Sequence, residues 1–338
     1  METTGGSGVA NYGRIEETVG SEGSFFVLEN MAQNLQQFLE EKVADLELSA
    51  LIEALAEGCR ILVNSQDVWA NNGSNYIGKT NQSGDQQIEL DRYTDELFYM
   101  QLIEKKLAYG YVSEERGDVV DVIDEGKKYT VAIDPLDGSS LVGTNLAVGT
   151  IIGIYESQTM TGRVGEKLVA SMYAVYGPQL VLVLAVNNVI YKFGYNHFEA
   201  KFFLLAGNLK VAPSTTYFAP GGLAQVNEDP RYKELVDYWI SHSYKLRYSG
   251  GMVPDVHHIL AKGQGVFAYP GLPTKPEGKL RVLYEAMPMA QIMEAAGGKA
   301  HSGRGRILDI EVHDLHQSTP ICLGSSEEVE RFIAKFAE

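Results

Sequence analysis

The spacing of apolar residues changes along this chain, and the changes divide it into elements. In Glu47 to Asn64, Leu48, Ile52, Leu55, Cys59 and Leu62 recur at steps of three and four, which paints one face of an amphipathic helix and makes Cys59 a core residue. Similar spacing returns from about Gln86 to Leu107, with Leu90, Leu97, Met100, Ile103 and Leu107 on the buried side and Asp91 near the start, off the core. Between these helices, residues 70–85 are rich in Gly, Asn and Ser and read as a mobile loop. The runs then shorten. Ala108 to Ser113, Tyr129 to Ile133, Asn145 to Tyr155, Val169 to Tyr176, Leu180 to Val186, Val189 to Phe193 and Lys201 to Leu205 read as strands with hairpin-like connections. After about Ala212 the composition shifts towards Pro, Gly and charge, with a helix at Pro230 to Ser241 and a strand at Lys279 to Tyr284. Another helix follows, with Met289, Met293 and Ala296 facing the core and Gly297–Gly298 as its stop. The chain therefore reads as α/β, with a flexible tail over 1–24, an α+β domain over 25–213 and an α/β domain over 214–338.

Composition narrows the function. At 338 residues the chain buries a sizeable core, and 45% apolar content with 35 glycines suits a globular enzyme. A formal charge of −16 excludes nucleic acid as a partner, because polyanion binding needs a basic footprint. Cys59 and Cys322 stand too far apart in sequence to read as a disulfide framework or zinc site, so a reducing setting is the default: the cytoplasm, or a plastid if a transit segment has been removed. The opening residues carry no apolar stretch of signal-peptide type, and the most apolar run, Leu180 to Val186, is too short to span a bilayer, so no membrane partner is expected.

The chemistry concentrates at Asp134-Pro135-Leu136-Asp137-Gly138-Ser139-Ser140. A buried strand from Tyr129 delivers Asp134 and Asp137 to its own end, and behind them Gly138, Ser139 and Ser140 offer backbone N–H groups and hydroxyls suited to phosphate oxygens. Glu114–Glu115 and Glu285 also follow strand-like runs. Ligands gather beyond the carboxyl ends of strands in open α/β sheets, so these acidic groups form one candidate cation site. Oxygen donors without a His or Cys cluster favour Mg2+, or Mn2+, over zinc, and the seven scattered histidines read as structural or surface residues. Lys279 and Arg281 alternate on one face of their strand, and with Arg247 they supply positive charge for two phosphates, hence a bisphosphate.

These motifs, together with Lys128–Tyr129, Gly149 to Tyr155, Ser113 to Glu115, Gly84 to Gln86, Arg247 to His257, Gly278 to Glu285 and Asp314 to Pro320, resemble class I fructose-1,6-bisphosphatases from about residue 46 onward. Tyr217 to Leu223, Arg247 to Val256 and Tyr176 to Pro178 are more similar to the sedoheptulose-1,7-bisphosphatase branch. The resemblance implies the sugar-phosphatase fold, a layered α/β/α/β/α sandwich of two sheets and helices, in a homodimer or homotetramer. It implies hydrolysis of the 1-phosphate of a sugar bisphosphate, sedoheptulose 1,7-bisphosphate ahead of fructose 1,6-bisphosphate, with an inositol or nucleotide phosphatase or a catalytically silent metal-binding protein as rivals. Carried over by motif, Asp91, Glu114, Glu115, Asp134, Asp137, Glu285 and the Leu136 carbonyl are metal ligands. Asp91, Glu115 and Asp85 are catalytic, with Asp85 closing over the site to orient Arg281. Gly138, Ser139, Ser140 and Arg281 hold the scissile phosphate, and Arg247, Tyr248, Tyr269 and Lys279 the distal one. Where hexose enzymes carry Asn-Glu-Gly, this chain has Ala219–Pro220–Gly221.

Members of the family that AMP inhibits carry an arginine directly after the Ile-Tyr pair, and this chain has Glu156 there. An anion is repelled at that place, so AMP is expected to leave activity unchanged; an inhibition constant in the low micromolar range would contradict this.

Overall fold

Helix α1 (Leu35–Lys42) starts at a capping box in which Asn34 and Gln37 satisfy each other's amides, and α2 (Leu46–Asn64) starts at Asp45, whose Oδ1 accepts from Glu47 N (3.0 Å) and Leu48 N (3.1 Å). The computed structural model describes residues 33–65, 68–69, 76–80 and 86–336; the expected tail over 1–24 and Asp85 lie outside them. Asp45 also receives Lys128 Nζ (2.5 Å) and Tyr129 Oη (2.9 Å), and with Lys128 as the largest cause its carboxyl is held down at about 2. Lys128 and Tyr129 are thereby committed to a side chain of this chain's own.

Part of the expected loop is instead a strand, β1 (Tyr76–Thr80), antiparallel to β2 (Gln86–Ile88). Helix α3 (Glu89–Ile103) follows, and its buried face is only partly the expected one. Leu90 is inside as expected and Leu97 and Leu107 pack against the same core, but Phe98 and Leu102 are buried where Met100 and Ile103 were expected, and those two are exposed. Gly58 on α2 is the reason: a Cβ there would lie 2.6 Å from the Phe98 ring, so the missing side chain makes room for Phe98.

Strands β3 (Gly110–Ser113), β4 (Asp121–Val122), β5 (Thr130–Asp137), β6 (Val148–Tyr155), β7 (Leu168–Tyr176), β8 (Leu180–Val186), β9 (Val189–Asn196) and β10 (Lys201–Gly207) make an eight-stranded sheet among the described residues. Its order is β10-β9-β8-β7-β6-β5-β3-β4, antiparallel throughout except where β3 runs parallel to β5. Its central strands β3, β5, β6, β7 and β8 are buried on both faces, and the two-residue period shows which side each serves. Val131 and Ile133 pack towards α1, α2 and α3, whereas Ala132 faces the opposite way; on β8, Leu182 and Leu184 divide from Val181 and Val183 in the same manner.

The second half begins with β11 (Tyr217–Pro220), then α4 (Pro230–Ser241), β12 (Lys245–Leu246), α5 (Met252–Lys262) and β13 (Val266–Tyr269). The strand expected over Lys279 to Tyr284 is only β14 (Leu280–Arg281). The chain then winds into a π turn, Val282–Ala286, that runs on into α6 (Met287–Ala295). After β15 (Lys299–His301), β16 (Ser318–Thr319) pairs with β14, and β17 (Ile321–Gly324) and α7 (Ser326–Phe336) complete the fold. The second sheet has the order β12-β11-β13-β17-β15. Helices α5 and α6 lie between the sheets and share one core with Tyr173 and Val183 of the first and Phe267 and Leu323 of the second. Met289, Met293 and Ala296 are in that core as expected. Helices α4 and α7 cover the outer face of the second sheet through Trp239, Leu235 and Phe332. The result is the α/β/α/β/α layering. Cys59 and Cys322 are both free and buried, in different cores.

Close approach of α5 to β6 depends on Gly149, where a Cβ would sit 2.4 Å from Val253 Cγ1 and 2.7 Å from the Ala174 carbonyl oxygen. Gly149→Ala is expected to destabilise the protein by about 1–3 kcal/mol through overpacking. A urea midpoint equal to that of the wild type would contradict this.

Candidate active site

Strand β5 ends in a tight structure of its own. Asp134 Oδ1 accepts from Leu136 N (3.0 Å) across Pro135, and Gly138 at φ +79° turns the chain into a 3-10 helix, Ser139–Thr144. Asp137 reaches across to the second half. Its Oδ1 accepts from Met252 N (3.1 Å) and its Oδ2 from Val253 N (2.7 Å), so the carboxylate sits on the N-terminus of α5, where unpaired donors and the helix dipole favour negative charge. Glu285 comes from the π turn and folds back so that Oε2 accepts from Arg281 N (2.5 Å). It is therefore delivered by a turn and not by a strand end.

An oxygen from each of Asp134, Asp137 and Glu285 lies within 4.8 Å of the others, and all three residues are buried. Burial raises Asp134 and Glu285 well above the usual carboxylate range, and in both cases the charge of nearby Glu114 adds to the effect. Asp137 is pushed up to about 6 by burial, against the two helix amides that favour its charged form. Like-charged oxygens this close, out of water, fit a hard divalent cation, which neutralises them and takes oxygen donors only. No histidine joins this group among the described residues.

A cleft of about 280 Å³ opens over the three carboxylates and is also lined by Asp91, Glu114, Glu115, Leu136, Gly138, Ser139, Ser140, Tyr248, Tyr269 and Lys279. Most of the residues singled out from sequence thus share one cavity. Asp91 is buried, contrary to expectation, because the start of α3 turns towards the cleft; its Oδ2 accepts from Ile88 N (2.9 Å). Lys279 and Arg281 do not present two heads to one place. Once the chain leaves β14 for the π turn, the Arg281 guanidinium is buried against the His316 carbonyl and Ser318 Oγ (2.8 Å), with Glu114 3.9 Å away. Arg247 stands exposed outside the lining, with Nη1 on the Leu246 carbonyl (2.8 Å).

Sequence reasoning missed the donors on Asp137; the adjacent glycines Gly250–Gly251 are the signal that could have found them, since a Cβ at Gly251 would lie 3.3 Å from Asp137 Oδ2. It also missed Asp255, which is buried, accepts from Ser249 N (2.8 Å) through Oδ1, and has no hydrogen-bond partner for Oδ2 among the described residues. Burial raises that carboxyl to about 7. Nothing in the local sequence separates Asp255 from an ordinary first-turn helix acid.

Comparison with known proteins agrees with this geometry. Residues 28–206 match the family model described as fructose-1-6-bisphosphatase, N-terminal domain, and residues 211–337 match its C-terminal domain. The chain is 39% identical over 298 residues to a class 1 fructose-1,6-bisphosphatase from Syntrophotalea carbinolica, covering 88% of this chain and 91% of that one. Among solved structures, a fructose-1,6-bisphosphatase from Leishmania major in holo form is 30% identical with a TM-score of 0.84, covering 90% of this chain and 99% of the other. A Toxoplasma gondii protein provisionally named a sedoheptulose-1,7 bisphosphatase is also 30% identical, with a TM-score of 0.82 and coverage of 90% and 98%.

The raised carboxyls fix a sign. Because their native values lie above those of the unfolded chain, the native state holds extra protons above the unfolded range, and the cation-free protein loses stability as pH rises through the native values. Mg2+ relieves the same repulsion, so the rise in melting temperature on adding Mg2+ should be larger at about pH 8 than at about pH 5.5. Equal rises at both would contradict the electrostatic account.

Proposed function

The chain belongs to the fructose-1,6-bisphosphatase family of metal-dependent sugar bisphosphatases, and from that premise we propose that it removes the 1-phosphate of sedoheptulose 1,7-bisphosphate, giving sedoheptulose 7-phosphate and inorganic phosphate. The observation that carries the reaction is the meeting of Asp134, Asp137 and Glu285 within 4.8 Å at the floor of a cleft that also holds Ser139, Ser140 and Lys279. Negative and positive groups are thus arranged for a divalent cation below and a phosphate on either side.

In this reading Asp91, Glu114, Glu115, Asp134, Asp137, Glu285 and the Leu136 carbonyl would hold Mg2+, with Mn2+ as a substitute. When bound, the cation supplies neutralisation of the phosphoryl oxygens and acidifies water enough for attack near neutral pH. Ser139, Ser140 and the amides after Gly138 donate to the 1-phosphate as charge develops on its oxygens. Asp91 and Glu115 take the proton from the attacking water, the bond between phosphorus and the sugar oxygen breaks, and that oxygen leaves with a proton. Lys279, Tyr248 and Tyr269 hold the distal phosphate and fix the sugar's direction. Arg281, 3.9 Å from Glu114, joins Ser139 and Ser140 on the 1-phosphate in this reading. The carboxylates come chiefly from 25–213 and the distal contacts from 214–338. Exposed Arg247 suits a dimer or tetramer in which it serves a neighbouring cleft.

Preference for the seven-carbon sugar is supported by the wall between the carboxylates and Tyr248, where Gly250 and Gly251 carry no side chain, and by Ala219–Pro220–Gly221, which offers no side-chain donor at the end of β11. Fructose 1,6-bisphosphate is the second reading, favoured by the names of the curated relatives. Catalytic efficiency measured with Mg2+ should be about tenfold higher on sedoheptulose 1,7-bisphosphate than on fructose 1,6-bisphosphate, the order of one extra sugar carbon's contacts, and negligible on inositol monophosphate. Preference for fructose 1,6-bisphosphate would establish the second reading instead.

A further inference from the structure

Two separate elements bring acids to the mouth of the cleft: α3 brings Asp91, and the end of β3 brings Glu114 and Glu115. One turn beyond Asp91, on the same side of α3, is Asp95; directly after Glu115 is Arg116. These two residues join. Arg116 Nε donates to Asp95 Oδ2 (2.8 Å), Nη2 to Glu96 (3.0 Å) and Nη1 to Asp121 (3.1 Å), and the guanidinium carbon lies 4.0 Å from the Tyr99 ring centroid. Tyr111 Oη donates to the other oxygen of Asp95 (2.9 Å), which is buried. Ser113 Oγ accepts from Glu115 N (3.2 Å), so the strand end is itself stiffened.

We propose that Arg116 is a positioning residue: by binding Asp95 it locks α3 against the end of β3 and so sets the separation of Asp91 from Glu114 and Glu115. Arg116 does not line the cleft. Its planar fork, stacked on Tyr99 and bonded to carboxylates of α3 and β4, fixes direction as well as distance, which a lysine ammonium does not. The inference rests on the reading of those acids as cation and proton-transfer groups.

The test compares the full-length wild type with Arg116→Met, Arg116→Lys, Asp95→Asn and the control Arg306→Met, which removes a surface fork onto Glu294 and Asp309. For each protein the Mg2+ concentration giving half the maximal shift in melting temperature is measured without substrate, and the Mg2+ dependence of rate and the KM for the sugar bisphosphate are measured with it. Arg116→Met should raise the half-saturating Mg2+ about ten- to a hundredfold in both readouts, the usual cost of removing a group that orients metal ligands, with KM at saturating Mg2+ changed by less than about twofold. Arg116→Lys should fall between, and Arg306→Met should match the wild type. If Arg116→Met loses stability but keeps the wild-type half-saturation, its role is structural only and the proposal is overturned. Should Arg116→Met fail to fold, Asp95→Asn decides, since it keeps the shape and acceptor oxygen of the side chain; an unchanged Mg2+ response overturns the proposal. A wild type with no Mg2+ response at all would overturn both the clamp and the functional reading beneath it, whereas a responsive wild type with variants that keep its half-saturating Mg2+ sinks the clamp alone.

Discussion

Three carboxylates held out of water within 4.8 Å of one another are the constraint on which the rest of this structure depends. At an effective dielectric constant of about 20, each ionised pair about 4 Å apart costs about 4 kcal/mol. A fold accepts that cost only where other groups offset it. Here the N-terminus of α5 offsets part of it through two amides on Asp137, and the Arg281 amide offsets part through Glu285. The remainder is left for a cation. The same contacts make the site a joint: Asp137 belongs to the first sheet, α5 and Glu285 to the second half, and the core beneath them is common to both.

The layering serves this joint. Helices α5 and α6 are sandwiched between the sheets, so the start of α5 and the π turn leading into α6 are fixed from both sides by packed side chains. Gly149 lets α5 lie against β6, and Asp137 then fastens its first turn. Loops alone would not hold like charges this close. On the outer edge, Arg116 extends the same logic to the acids of α3 and β3, replacing flexible connection with a charged and aromatic bracket.

Much of the fold was legible because its strands are short, continuous and apolar: Leu180–Val186 was bounded correctly from sequence, and the helix of Met287–Ala295 was recognised by Met289 and Met293. The buried face of α3 was legible only in part: Leu90, Leu97 and Leu107 turn inward as expected, but the choice between Phe98 and Met100 is made by a glycine on α2 far away in sequence. Of the site, the carboxylates of β5 and β3 were readable as acids at strand ends. Glu285 was placed on the right segment for the wrong reason, because a hydrophobic run does not distinguish two strand residues from a π turn. Arg281 was read as a phosphate-binding group on a strand face, and the packing of its guanidinium against Ser318 follows from pairing with β16, which sequence order does not reveal. Arg116 carried no signal beyond charge, and Asp255 lay in a resembling motif that gave it no role of its own.

The central claim is that the buried acids of β5 and the π turn form a divalent-cation site. Anomalous diffraction from crystals grown with Mn2+ tests it most directly. The account predicts a peak within bonding distance of oxygens from Asp134, Asp137 and Glu285, lost in Asp134→Asn. A strong peak coordinated elsewhere, with those three carboxylates left without metal, would contradict it.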